Sequence, residues 1–179
     1  DFDNRTGGFY PGSYWVIASR PSIGKTALAL AMAWNMTANP DSICAFASLE
    51  MNKRELMFRM IASQTGVPVN QIKQGSFSRD HLKAIIEAGE RIKRRSNLFV
   101  DDTPDLEISR LRSRVIRLKE ENPNLKIVFV DYLQIVRSTL RAGSDYERVT
   151  HISQQLKTIP RESNTCLIAL SQIRRNKDG

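Results

Sequence analysis

The sequence predicts an α/β fold, a mostly parallel β-sheet with helices on both faces. Three observations lead there. Short apolar runs at Tyr14–Ala18, Ile43–Ser48, Ile127–Val130 and Thr165–Leu170 alternate with longer stretches of helical period. The runs at 43–48 and 127–130 are apolar or small throughout, the pattern of strands covered on both sides. Polar side chains follow these runs at once, at Ser19, Glu50, Asp131 and Gln172. In open parallel sheets ligands sit at the carboxyl ends of the strands, so all four fall on one functional edge.

The elements follow in order. Gly7-Gly8 and Pro11-Gly12 make residues 1–13 a turn-rich lead-in to the first strand, Tyr14–Ala18. Ala and Leu dominate the next stretch and predict a helix over Lys25–Thr37, stopped by Asn39-Pro40. After the strand Ile43–Ser48, Leu56, Met57, Met60 and Ile61 share one face of a helix over Lys53–Thr65, ended by Gly66 and Pro68. A short helix is expected at Asn70–Gln74. Ser78 reads as the N-cap of another running to Arg94, with Leu82, Ile85, Ile86 and Ile92 inward. Leu98–Val100 is a short strand. Ser109–Asn122 is a helix with Leu111, Val115 and Leu118 inward and its arginines outward. Ile127–Val130 is the fourth strand. Tyr146–Arg161 is helical and is expected to kink or end at Pro160. Thr165–Leu170 is the last strand.

The chain has 179 residues, 41% of them hydrophobic, which fits one domain with a sizeable core. Lys and Arg total 27 against 19 acidic residues, a net charge of +8. Such a balance fits either a polyanionic partner, nucleic acid first, or a generally basic surface. The basic residues cluster at Lys93-Arg94-Arg95, at Arg110, Arg112, Arg114 and Arg117, and at Arg174-Arg175. Cys44 and Cys166 each lie in an apolar strand and read as buried thiols in a reducing compartment. His81 and His151 lack ligand spacing and read as surface or structural. With no apolar run of 18 residues and no signal peptide, the chain is expected to be soluble and cytoplasmic.

The segment Ser19-Arg20-Pro21-Ser22-Ile23-Gly24-Lys25-Thr26 joins the first strand to the first long helix. Strand, tight loop and helix with Gly-Lys-Thr at the junction is the phosphate-binding loop of nucleoside triphosphatases. Backbone N–H groups of Arg20, Pro21's neighbours, Ser22, Ile23 and Gly24 converge on phosphate oxygens, and the helix dipole adds attraction. Lys25 reaches the outer phosphates and the Thr26 hydroxyl holds Mg2+. The usual first glycine of the pattern is Ser19 here.

Asp131, after four apolar residues, is placed to bind magnesium beside that loop, or is simply an acid at a strand end. Glu50 follows the neighbouring strand. It either orients and deprotonates an attacking water or caps the helix after it. Gln172 either senses the terminal phosphate or is a plain surface amide. Arg59, nine residues after Glu50, faces either the phosphates or solvent.

Taken together, these segments resemble the ATPase domain of DnaB-type replicative DNA helicases. The stretches that carry the resemblance are Arg5-Thr6-Gly7-Gly8-Phe9 with Pro11-Gly12, Ala18 through Thr26, and Ser48-Leu49-Glu50-Met51. With them go Asp131-Tyr132-Leu133-Gln134, Ile152-Ser153-Gln154-Gln155-Leu156-Lys157 and Ala169-Leu170-Ser171-Gln172. The resemblance implies a single RecA-like P-loop core over residues 1–179, a hexameric ring, and ATP-driven translocation on single-stranded DNA that unwinds a duplex. It implies ATP and Mg2+ as cofactors, and a primase and a helicase loader as partners. It assigns phosphate and metal to Lys25 and Thr26, the catalytic carboxylate to Glu50, and the strand-end metal acid to Asp131. It makes Gln172 the phosphate sensor and matches Arg59 to an arginine after Ser-Leu-Glu-Met.

The family's amino-terminal domain, linker helix, arginine finger and main DNA-contacting loop have no counterpart between residues 1 and 179. The chain therefore reads as the core of a helicase motor. Two other readings stand beside it: a RecA-like repair or clock-type ATPase, and a nucleotide-binding fragment with negligible turnover.

Overall fold

The computed structural model describes residues 2–133, 136 and 144–173. Gln134 and the Arg174-Arg175 pair lie outside the described residues. Among the described residues the order is α1 (Phe2–Thr6), β1 (Tyr14–Ser19), α2 (Lys25–Met36), β2 (Ile43–Ser48), α3 (Lys53–Thr65) and α4 (Val69–Gln74). Then come α5 (Arg79–Lys93), β3 (Leu98–Asp101), α6 (Ile108–Glu121), β4 (Leu125–Asp131), α7 (Asp145–Ser163) and β5 (Cys166–Gln172).

The five strands form one sheet in the order β1-β5-β4-β2-β3, and every described pairing is parallel. All carboxyl ends therefore share an edge. The period of two along each strand divides the apolar residues between two cores. Cys44, Phe46, Ile127, Phe129, Cys166, Ile168 and Leu170 meet α2, α3, α4 and α5 on one face. Ala45, Ala47, Val128, Val130, Leu167 and Ala169 meet α6 and α7 on the other. This two-sided burial is why β2 and β4 read as unbroken apolar runs. Phe46 and Phe129 stack across the β2–β4 pair, with ring centroids 5.6 Å apart. Each fully buried aliphatic or Phe side chain stabilises the fold by roughly 1.5–3 kcal/mol.

Both cysteines are buried free thiols in strands, as expected. Ser78 does cap α5, its hydroxyl accepting from the His81 N–H at 3.2 Å. No described helix is long and apolar enough to cross a membrane.

Three expectations are corrected. The turn-rich lead-in contains a short helix, α1, before the glycine turns at Gly7, Gly8 and Gly12. On α5, Leu82 and Ile86 are 44% and 57% exposed. The inward stripe is Ile85, Ala88 and Ile92, spaced by three and four, because small Ala88 lets the helix lie close against its neighbours. α7 does not end at Pro160 but runs to Ser163. Pro160 lies in the last turn, where only one ladder bond is lost. Its carbonyl accepts from the Thr165 N–H at 3.1 Å, and Asn164, at φ +49°, closes the helix.

Part of the basic surface, chiefly on α6, is ion-paired. Arg112 pairs with Glu162 at 2.6 Å, Arg114 with Asp101, and Arg117 with Glu121 at 3.6 Å. Arg95 lies 3.9 Å over the Trp34 ring.

Candidate active site

The loop between β1 and α2 is built to present bare N–H groups. The first N–H groups of any helix lack intrahelical partners. At α2 no side chain caps them, and the first turn carries no acidic residue. Arg20, Pro21, Ser22, Ile23 and Gly24 are all exposed. The turn passes through left-handed backbone at Ser22 (φ +63°) and Gly24 (φ +101°). A Cβ on Gly24 would meet nothing within 4 Å, so the glycine serves backbone conformation rather than space. A helix start of this kind attracts anions through its dipole and its free donors.

Lys25 and Thr26 open α2 and turn toward the sheet edge. The Thr26 hydroxyl donates to Asp131 Oδ2 at 2.7 Å. Asp131 ends β4 and is fully buried, yet its Oδ1 accepts no hydrogen bond. The Lys25 ammonium lies 3.8 Å from that oxygen and 3.7 Å from Glu50 Oε2. It also sits 4.6 Å from the centroid of the Tyr132 ring. Lys25 is only 11% exposed at its side chain, whereas Glu50 is 47% exposed.

Glu50 is held by its neighbours. The Leu49 N–H donates to the Asp131 carbonyl at 2.8 Å, carrying the β2–β4 ladder past the strand. Ser48 Oγ donates to the Met51 carbonyl at 2.6 Å and tightens the turn. The cap of α3 is Asn52, whose side chain accepts from the Glu55 N–H at 2.9 Å. Glu50 is therefore not the capping acid of that helix, and its carboxylate points to Lys25 instead.

Gln172 ends β5 as the register partner of Ser19, the last residue of β1 before the loop, and the Ile173 N–H donates to the Ser19 carbonyl at 2.9 Å. It thus lies beside the loop. Arg59 lies on α3 and lines a groove of about 330 Å³ with Ala27, Trp34, Ser63 and Gln64 between α2 and α3. It is exposed there and belongs to no described contact of the Lys25 cluster.

The donors fit a small hard cation. Magnesium takes one or two protein oxygens and completes its shell with water and phosphate. Asp131 Oδ1, buried and without a donor, and the Thr26 hydroxyl supply such a pair. Among the described residues no group of three His, Cys, Asp or Glu forms a closed metal cage. Sequence reasoning assigned Tyr132 no role. A tyrosine after a strand-end aspartate carries no chemical signal until its ring is seen under the lysine.

A parallel sheet with an uncapped loop–helix junction, a lysine over two carboxylates and a Thr–Asp link at its carboxyl edge defines a P-loop nucleotide-binding domain. A family model described as the DnaB-like helicase C terminal domain matches residues 1–179, and the chain belongs to that family. It is 33% identical over 176 residues to the replicative DNA helicase DnaC of Bacillus subtilis, covering 98% of this chain and 38% of that protein. It is 37% identical over 178 residues to the replicative DNA helicase DnaB of Treponema pallidum, covering 99% and 40%. The chain thus spans about two fifths of the length of these relatives. Among solved structures, the ATPase domain of G40P superposes with a TM-score of 0.87 at 33% identity, over 97% of this chain and 62% of that one. A DnaB-like replicative helicase, solved to describe its interactions with primase, gives 0.87 at 32% identity, over 99% and 43%. The fold is therefore the RecA-like one of these helicase ATPase domains.

Proposed function

We propose that this chain is the ATP-binding and ATP-hydrolysing motor core of a replicative DNA helicase, coupling hydrolysis to movement on single-stranded DNA and to duplex unwinding. The observation that carries the reading is the convergence of Lys25, Glu50, Asp131 and Thr26 at the mouth of an uncapped P-loop. The family membership supports the rest.

In this reading the backbone N–H groups of residues 20 and 22–26 receive the phosphates, and Lys25 exchanges its two carboxylates for phosphate oxygens. Thr26 and Asp131 would hold Mg2+, which would supply positive charge against that developing on the phosphates. Glu50, freed from Lys25 and half exposed, orients the attacking water and takes its proton. General-base help of this kind gives roughly 10²–10⁴ in rate. Gln172, beside the start of the loop, reports the terminal phosphate to the segment after β5. Arg59 acts from α3, across the groove it shares with Trp34.

The partners proposed are single-stranded DNA and further copies of the chain in a hexameric ring. A primase and a helicase loader complete the set, and the setting is the cytoplasm. A solved relative studied with primase supports that partner. In a ring a neighbour's arginine completes the site, a contribution of about 10³–10⁵ in rate.

ATP turnover measured against protein concentration, with and without single-stranded DNA, tests the reading beside Glu50→Gln. The expected result is turnover that rises with concentration, responds to DNA and vanishes in the variant while ATP binding persists. Flat, negligible turnover with tight binding would leave only a nucleotide-binding core.

A further inference from the structure

Among the described residues three groups surround the ammonium of Lys25, and the proposed function uses two of them. Glu50 and Asp131 lie 3.7 and 3.8 Å away. The third is the Tyr132 ring, whose centroid is 4.6 Å from the ammonium. Tyr132 packs as a partly buried side chain against the core cluster that contains Ala29 and Leu30 of α2 and Phe129 of β4. The ring is thus held by the core that lies beneath the site.

We infer that Tyr132 is a positioning residue for Lys25, its ring face holding the ammonium at the mouth of the P-loop before nucleotide arrives. The inference rests on the reading of the loop as a nucleoside triphosphate site.

The negative face of an aromatic ring attracts a cation within about 6 Å of its centroid. The two carboxylates cannot serve as permanent supports. Asp131 has a bond to Thr26 and an orphaned oxygen fit for a metal, and Glu50 is half exposed and must be released to act on water. Both change partners when nucleotide binds. The ring carries no ionised group and takes no metal at neutral pH, so its contact survives the exchange. A lysine has more rotamer freedom to lose than almost any side chain. With the ring beneath it, that freedom is lost on folding rather than on binding. Without the ring, the loss falls on the binding step and weakens affinity.

The test places phenylalanine and a series of increasingly fluorinated phenylalanines at position 132 of the full chain. Fluorination drains charge from the ring face and nearly preserves its shape. Affinity for N-methylanthraniloyl-ATP with magnesium is read beside the thermal midpoint. Tyr132→Leu is expected to weaken binding about two- to thirty-fold, and Tyr132→Phe to restore most of it. Affinity should fall stepwise along the fluorinated series at constant thermal midpoint. If Tyr132→Leu fails to fold, that series alone decides. A flat series, with Lys25→Ala abolishing binding, overturns the role of Tyr132 and leaves the nucleotide site intact. Lys25→Ala binding as well as wild type overturns the site itself, and the inference with it.

Discussion

Thr26 and Asp131, 105 residues apart in sequence, are joined by a hydrogen bond of 2.7 Å that ties the first turn of α2 to the tip of β4. Both side chains are buried, Asp131 completely. A buried carboxylate is costly unless donors face it, so this hydroxyl and the Lys25 ammonium at 3.8 Å together support it.

Thr26→Ala should therefore act twice. Removing the donor leaves a buried acceptor unsatisfied and should cost about 1–3 kcal/mol of stability. It should also shrink the factor by which magnesium strengthens ATP binding, whereas Thr26→Ser keeps both properties. Thermal melting and binding of an ATP analogue with and without magnesium check this. An unchanged magnesium factor in Thr26→Ala would remove the hydroxyl from the metal site.

Gly24→Ala isolates the backbone of the loop. The φ of +101° disfavours any L side chain, yet a Cβ there meets no atom within 4 Å. The cost is then conformational, about 1–2 kcal/mol, and it is relieved if the turn opens. We expect ATP affinity to fall about ten-fold, in line with 1.4 kcal/mol, with a modest drop in thermal midpoint. Wild-type affinity in Gly24→Ala would mean that the left-handed turn is not needed to receive phosphate.

Legibility in the sequence varied with how local the signal was. The strands at β2 and β4 declared themselves because burial on both faces makes Ile43–Ala47 and Ile127–Val130 apolar without interruption. The P-loop was legible through Gly24-Lys25-Thr26 despite Ser19, because backbone geometry needs the second glycine more than the first. Placement of Glu50 and Asp131 on one edge also followed, since each lies at or just past the end of a strand in a parallel sheet; their adjacency did not, because the order β4-β2 leaves no local signal. The inward face of α5 was misread at Leu82 and Ile86 because hydrophobicity alone cannot show that a small residue, Ala88, sets the closest approach. Pro160 does not end α7, because a helix breaker matters by its distance from the helix end. Tyr132 was invisible as a functional neighbour because its contact with Lys25 spans 107 positions and leaves no periodicity.

Cys44 offers a probe of core opening. Its thiol is fully buried on β2, and burial pushes its pKa far up. Burial likewise raises Cys166, the larger effect, although a hydrogen bond from Ser13 pulls it back. The thiolate is the reactive form, so both should label with a disulfide reagent only as the protein opens. Labelling should track denaturant-induced unfolding measured by circular dichroism. Rapid labelling of either cysteine in the native protein would contradict the two-sided core.

Acid stability should be set beside the site, at the carboxyl end of β3. Burial by itself raises the Asp101 carboxyl, but hydrogen bonds from Thr103 and Arg114 outweigh it and hold the carboxyl below its usual value. Asp102 is lowered chiefly by the Lys53 backbone N–H, 2.9 Å away at the start of α3, with the Lys53 ammonium helping at 3.4 Å. Both carboxylates are thus depressed in the folded state relative to an unfolded value of about 3.9. Their stabilisation is fully present above that value and is lost as pH falls through the lower folded values. The thermal midpoint should therefore hold down to about pH 4 and decline below it. Asp101→Asn and Asp102→Asn should each flatten the decline, because neither then takes up a proton on unfolding. Melting curves across that range decide the matter. Variants that lose stability with the wild-type acid slope would show that other carboxylates govern it. They would also show that the link from β3 to α3 and α6 contributes no pH dependence.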